Sequence, residues 1–174
     1  MKSVKSLIVI AIVSLFLNAC KKDVDPRCHF TEEQKKQALY YTYNVGNTLR
    51  FSKNKIDTLV LIVNQKQLRE YIPPSGTRAP LNEELNILLN HGKIFAQVNA
   101  DNNYKYYVNI NFFEISGSRN ISDTILKELE IDNITYNNVY IYYNTAIPSD
   151  KIYANEKYGI IKAQNDSIIY TLIP

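Results

Sequence analysis

The chain has 174 residues, 20 Lys plus Arg against 17 Asp plus Glu, and a formal charge of +3. That length suits a single domain. The small positive charge is not gathered into a basic stripe, which excludes an electrostatic nucleic-acid footprint. Tyrosine is abundant at 14, tryptophan is absent and glycine is scarce at 5. Tyrosine favours strands and asparagine favours turns, so the composition leans towards β structure with polar connections.

The chain opens with Lys2 and Lys5, then an almost unbroken apolar run from Leu7 to Leu17. An apolar core of ~7–15 residues is a signal-peptide feature, whereas a spanning helix needs ~20. Leu17-Asn18-Ala19-Cys20 closes the run as a lipobox, with an aliphatic residue, a small residue and a cysteine whose thiol accepts a diacylglycerol. Residues 1–19 are therefore expected to be a lipoprotein signal peptide and Cys20 the lipidated first residue of the mature chain. Two or more acyl chains hold a protein to a membrane without any spanning segment. Cleavage removes Lys2 and Lys5 and lowers the formal charge from +3 to about +1. Acylation of Cys20 leaves Cys28 alone, without an intrachain disulfide partner. Lys21 to Pro26 is charged and aperiodic, so residues 20–29 read as a flexible tether and residues 30–174 as the domain.

Thr31-Glu32-Glu33-Gln34 fits a capping box, which predicts a short helix to about Tyr40 anchored by Phe30 and Leu39. Val45 to Phe51 alternates, predicting a strand with Val45, Leu49 and Phe51 on one face. After a turn at Ser52–Lys55, the continuous aliphatic run Asp57–Val63 predicts a strand covered on both faces. Pro73-Pro74-Ser75-Gly76 breaks the irregular stretch Arg69–Pro80. Leu81–Asn90 fits a helix capped at Gly92 or a strand, with strand preferred from its neighbours. Lys93–Val98 and Tyr104–Ile115 form the clearest hairpin, around Asp101-Asn102-Asn103. Tyr106, Val108, Ile110 and Phe112 face a core, and Tyr107, Asn109 and Asn111 face water. Ile121–Ile131 is a helix capped by Ser122 or Asp123, or the start of a strand. Tyr136–Asn144 predicts a strand with Val139, Ile141 and Tyr143 on one face. Ile152–Ala163 and Ser167–Leu172 predict a final hairpin around Gln164-Asn165-Asp166. The sum is a mainly β fold: an antiparallel sheet of hairpins, as a sandwich, an open barrel or a curved sheet, with one short N-terminal helix after the signal peptide.

Several stretches carry a resemblance. They are Cys28-His29-Phe30-Thr31-Glu32-Glu33-Gln34 after the lipobox, Tyr43 to Phe51 leading into Ile56-Asp57-Thr58, Tyr136 to Tyr140, and Tyr153 with Tyr158-Gly159-Ile160-Ile161-Lys162. Together they resemble the small uncharacterised lipoproteins common in the Bacteroidota. That family has no established activity, so the resemblance implies an envelope location and no functional residue.

Chemistry-bearing residues are sparse. His29 and His91 are the two histidines, and neither sits in a zinc-ligand spacing. Cys28 and the serines lack the context of an activated nucleophile. Glu83-Glu84 and Glu128 with Glu130 read as solvated surface charge. Tyr140, Tyr142 and Tyr143 on one strand, and Tyr104, Tyr106 and Tyr107 on another, offer either an aromatic row for sugars or a partner protein, or ordinary cross-strand packing. Asp57-Thr58-Leu59, Asp123-Thr124-Ile125 and Asp166-Ser167-Ile168 each match the Asp, hydroxyl, aliphatic motif for O-glycosylation in exported proteins of the Bacteroidota, at Thr58, Thr124 and Ser167. The expectation is a non-enzymatic module of the cell envelope, without cofactor or metal, held to a membrane through Cys20, with the outer membrane the expected one. It would serve in binding or envelope structure, with a protein or glycan partner. The alternatives are a carrier of a hydrophobic ligand in a β cavity and a glycan-binding accessory protein.

Overall fold

The computed structural model describes residues 29–71, 82–99, 105–119 and 125–174. The expected signal peptide, Cys20, Cys28, Tyr104, Thr124, the Pro73–Gly76 breaker, the 101–103 turn and the Ser122/Asp123 cap lie outside the described residues.

Among the described residues one helix, α1 (Glu32–Gln37), precedes eleven strands. These are β1 (Thr48–Lys53), β2 (Asp57–Tyr71), β3 (Asn82–Leu89), β4 (Gly92–Asn99), β5 (Lys105–Phe112), β6 (Ile115–Arg119), β7 (Ile125–Ile131), β8 (Ile134–Tyr143), β9 (Lys151–Asn155), β10 (Gly159–Gln164) and β11 (Ile169–Ile173). The protein is mainly β, as expected, and the hairpins join antiparallel in the order β6-β5-β4-β3-β2-β1-β11-β10-β9-β8-β7. The sheet then closes, because Ser118 of β6 also pairs with Tyr143 of β8. Ten strands form a closed barrel and β7 lies outside the ring, paired with β8. Closure leaves the ring strands without a free edge, the feature by which β proteins avoid edge-to-edge association.

The period-two pattern dictates the wall. Ile94 pairs with Ile110, Ala96 with Val108 and Val98 with Tyr106, and all six side chains are buried in the lumen. The outward row reads, strand by strand in direct register, Gln67, Asn86, Phe95, Asn109, Ser118, Tyr143, Lys151 and Gln164. This row is mostly polar, while Val60, Ile62 and Ile169 stand exposed elsewhere on the wall.

Both mouths are stoppered. At the mouth where β3 and β5 begin, α1 sits across the lumen. Its capping box is present, with Thr31 accepting from the Gln34 backbone and the Gln34 side chain accepting from the Thr31 backbone. Phe30 and Leu39 are buried anchors, as expected. Three luminal tyrosines hold the plug. Tyr106 donates to the Gln34 carbonyl at 2.8 Å, Tyr142 donates to the Gln37 carbonyl, and Tyr43 accepts from the Ile160 N–H at 2.7 Å. At the other mouth, Phe51, Phe112, Phe113 and Tyr170 pack with ring centroids 4.8–5.5 Å apart, and His91 stacks on Phe113.

Four expectations are corrected. The helix stops at Gln37 because Leu39 takes a positive φ of 57°. Val45 is not in a strand: it sits exposed in the turn before β1, where Gly46 supplies φ 89°. The Asp57–Val63 run is not covered on both faces, since Val60 and Ile62 are 43% and 40% exposed; a barrel wall has one luminal and one outer face, and these two residues point out. On β8, Val139, Ile141 and Tyr143 do share one face, as expected, and Tyr140 and Tyr142 turn to the lumen from the other. Ile152–Ala163 is two strands, split by a turn at 156–158. The Asn155 side chain caps that turn by accepting from the Tyr158 N–H at 2.8 Å, and Gly159 follows at φ 74°.

Candidate functional site: a neutral groove on the outer wall

The tyrosines divide by strand parity. Tyr106, Tyr140 and Tyr142 point into the lumen and are buried, whereas Tyr107 and Tyr143 point out. Of the two readings the sequence offered for these tyrosines, packing thus holds for most of them. Burial pushes the hydroxyls of Tyr43, Tyr106 and Tyr142 well above the ordinary tyrosine range. They stay neutral near pH 7 and serve as hydrogen-bonding posts for α1 and β10, a structural task.

Closure of the barrel brings the two outward tyrosines to one depression. The register runs from Asn109 on β5 to Ser118 on β6 and from Ser118 to Tyr143 on β8. A groove of about 210 Å³ lies here, lined by Tyr107, Asn109, Ser116, Gly117, Ser118, Tyr143, Asn144 and Thr145. No charged side chain is in that lining. The Asn109 side-chain N–H donates to the Tyr107 hydroxyl at 3.0 Å, and Ser118 donates to the Tyr143 carbonyl at 3.2 Å. Asn144 donates to Ser116 Oγ at 2.8 Å, while its own oxygen accepts from the Ala146 and Ile147 N–H groups at 2.9 and 3.1 Å. Asp150, buried beside it, accepts from the Ser116 N–H at 3.3 Å and from Asn144 at 3.4 Å. The groove floor is possible because position 117 has no side chain. A Cβ there would stand 2.7 Å from the Tyr142 carbonyl oxygen, where β6 and β8 cross.

A second depression, about 620 Å³, follows the rim near α1, with Arg50, Lys157, Leu49 and Ile173 among its walls. Its mixture of cations and aliphatics aims at no single ligand chemistry.

The remaining sequence-derived candidates lie apart from both. Thr58 and Ser167 are exposed. Asn54 links their neighbourhoods by donating to the Ser167 carbonyl at 3.4 Å and accepting from the Ile169 N–H at 2.7 Å. Thr124 and Cys20 lie outside the described residues. Glu83 and Glu84 are not the solvated pair expected: Glu84 is 7% exposed and bonds to Arg69 at 3.0 Å, and Glu83 accepts from the Phe30 N–H at 2.6 Å. Both serve the wall and the plug. Glu128 and Glu130 are exposed as expected. Among the described residues no group of three or more His, Cys, Asp or Glu is placed to hold a metal ion.

Sequence reasoning placed Tyr107 on a wet face but missed Ser116, Ser118 and Asn144. The signal for the serines was present in Ile115-Ser116-Gly117-Ser118-Arg119, where small polar residues alternate with inward positions. Comparison with protein-family models, curated proteins and solved structures returned no match to this chain. Its class is accordingly set by its own geometry: a closed antiparallel barrel, filled inside and stoppered at both mouths.

Proposed function

We propose that this protein is an exported lipoprotein, anchored through acyl chains on Cys20 to the outer membrane, whose non-enzymatic barrel binds its partner on the outer wall. The lipobox and the charged stretch Lys21–Pro26 support the anchor and the tether. The observation that carries the mode of binding is the filled lumen. Phe51, Leu61, Ile87, Ile94, Val108 and Ile110 are fully buried there, α1 occupies one mouth and an aromatic cluster the other. A carrier of hydrophobic molecules needs an apolar cavity of several hundred Å³, and this packing argues against that alternative. Exposed Thr58 and Ser167 are compatible with sugar attachment at the barrel surface.

The test has two arms. Full-length protein expressed with radiolabelled palmitate is expected to carry label and to sediment with membranes, and Cys20→Ala to do neither. Organic extraction of the purified lipoprotein is expected to yield no stoichiometric non-covalent lipid. An unlabelled wild type would overturn the anchor, and a co-purifying lipid would overturn outer-wall binding in favour of a lumen carrier.

A further inference from the structure

We propose that the groove between Tyr107 and Tyr143 binds a neutral saccharide, an inference that rests on the outer-wall reading and names its ligand class. Three observations converge. First, two aromatic side chains flank it, 38% and 43% exposed, on neighbouring parts of a rigid wall. The surface the groove exposes is almost wholly polar, so the tyrosines offer a ligand their hydroxyl edges, which can both donate and accept. Second, the lining between them is amide and hydroxyl without charge. A sugar presents many hydroxyls that both donate and accept, so it is best met by neutral groups with both capacities. Counting them shows what is left to give. Tyr107 accepts from Asn109 and keeps its hydroxyl hydrogen; Ser116 accepts from Asn144 and, among the described residues, donates to nothing; Asn109 keeps its carbonyl oxygen. An anionic ligand would meet no cation here, and the nearest carboxylate, Asp150, is turned to the Ser116 backbone and Asn144.

Third, the site is held in place before any ligand arrives. Asn144 is fixed by four hydrogen bonds and sets the position of the Ser116 hydroxyl. Side chains ordered in advance lose little entropy on binding, which suits a ligand whose individual contacts are weak. At about 210 Å³ the groove has room for one sugar ring. A protein partner of ordinary interface size covers about 800 Å² on each side, far more than a groove of this extent, and polar walls give such a partner little apolar area to bury.

The experiment uses full-length lipidated protein in detergent micelles, titrated with cellohexaose, maltohexaose and mannohexaose by calorimetry and by saturation-transfer NMR. At least one is expected to bind, with a dissociation constant between about 10 μM and 1 mM, or roughly −7 to −4 kcal/mol. Tyr107→Ala and Tyr143→Ala should each weaken it at least tenfold, and Tyr107→Phe, which keeps the ring but loses the hydroxyl, should weaken it about as much as Tyr107→Ala. Ser118→Lys, which fills the groove from an outward position, should abolish binding with the melting temperature preserved, and it serves as the test if either alanine variant fails to fold. Absence of saturable binding to all three sugars would overturn the proposal. So would a Tyr107→Ala/Tyr143→Ala double variant that binds as the wild type does; that result would leave outer-wall binding standing and move the site elsewhere. The palmitate and lipid-extraction results are independent of these outcomes, so failure of the anchor or of the filled lumen is read separately.

Discussion

Gly46 and Gly159 both hold left-handed backbone, at φ 89° and 74°, in opposite surroundings. A Cβ at Gly46 would meet open space, so Gly46→Ala adds only the strain of positive φ, about 1 kcal/mol. A Cβ at Gly159 would run into the ring and hydroxyl of Tyr43, the same hydroxyl that accepts from the Ile160 N–H. Gly159→Ala therefore adds overpacking to strain and breaks a post of the plug, for a loss of about 3 kcal/mol or more. Chemical denaturation of the two variants checks the order; equal losses would mean that Tyr43 yields without cost. Gly117 belongs with Gly159. It meets the Tyr142 backbone at the β6–β8 crossing, which cannot retreat as a flexible side chain can, so Gly117→Ala is expected to cost about 1–3 kcal/mol and to distort the groove above it.

The elements differ in how much they contribute and in how plainly the chain announces them. The Thr31 cap is worth about 1 kcal/mol to α1, and Thr31→Ala should lose that amount in denaturation while leaving the barrel intact. The turn between β8 and its neighbour β7, which lies outside the ring, is joined to the β1–β2 turn by Lys55 and Asp132 at 2.7 Å, but Lys55 is 78% exposed. A pair so wet is screened by solvent, and Lys55→Ala should change stability by no more than about 0.5 kcal/mol. β4 and β5 were legible in the sequence because Lys93–Val98 and Tyr106–Phe112 alternate without interruption, and the capping box of α1 was legible because it is local. The split between β9 and β10 was not, since Glu156-Lys157-Tyr158 contains no Gly, Pro or Asn and the signal is displaced to Asn155 and Gly159 on either side. Barrel closure was less legible still. It rests on Ser118 meeting Tyr143, 25 residues on, and no local periodicity encodes such a pairing. The groove inherits that difficulty: Tyr107 could be read as a wet-face aromatic, but its companion Tyr143 reaches it only through the closure.

At the scale of the whole molecule, the tyrosine posts couple stability to alkaline pH. Burial is the leading cause that raises Tyr43, Tyr106, Tyr142, Tyr140 and Tyr170 above the ordinary value near 10. For Tyr140 and Tyr170 the carboxylates of Glu156 and Glu114, which accept their protons, add to the rise. Below about pH 10 these phenols are neutral whether the chain is folded or not, and they contribute no slope. Above it the unfolded chain releases their protons and the folded barrel keeps them. The native state then binds more protons than the unfolded state, so stability falls as pH rises. The expected melting temperature is therefore insensitive to these groups near neutrality and declines steeply above about pH 10, with tyrosinate absorbance rising as the protein unfolds. Tyr142→Phe separates this from a general effect of charge. At pH 7 it should cost about 1–2 kcal/mol, because the buried Gln37 carbonyl loses the hydroxyl that bonds it. It also removes one of the shifted groups, so its alkaline decline should be shallower than that of the wild type, and the two stability curves should converge as pH rises. Parallel curves would mean that Tyr142 gains access to water before the barrel opens, and that α1 leaves its mouth while the wall still stands.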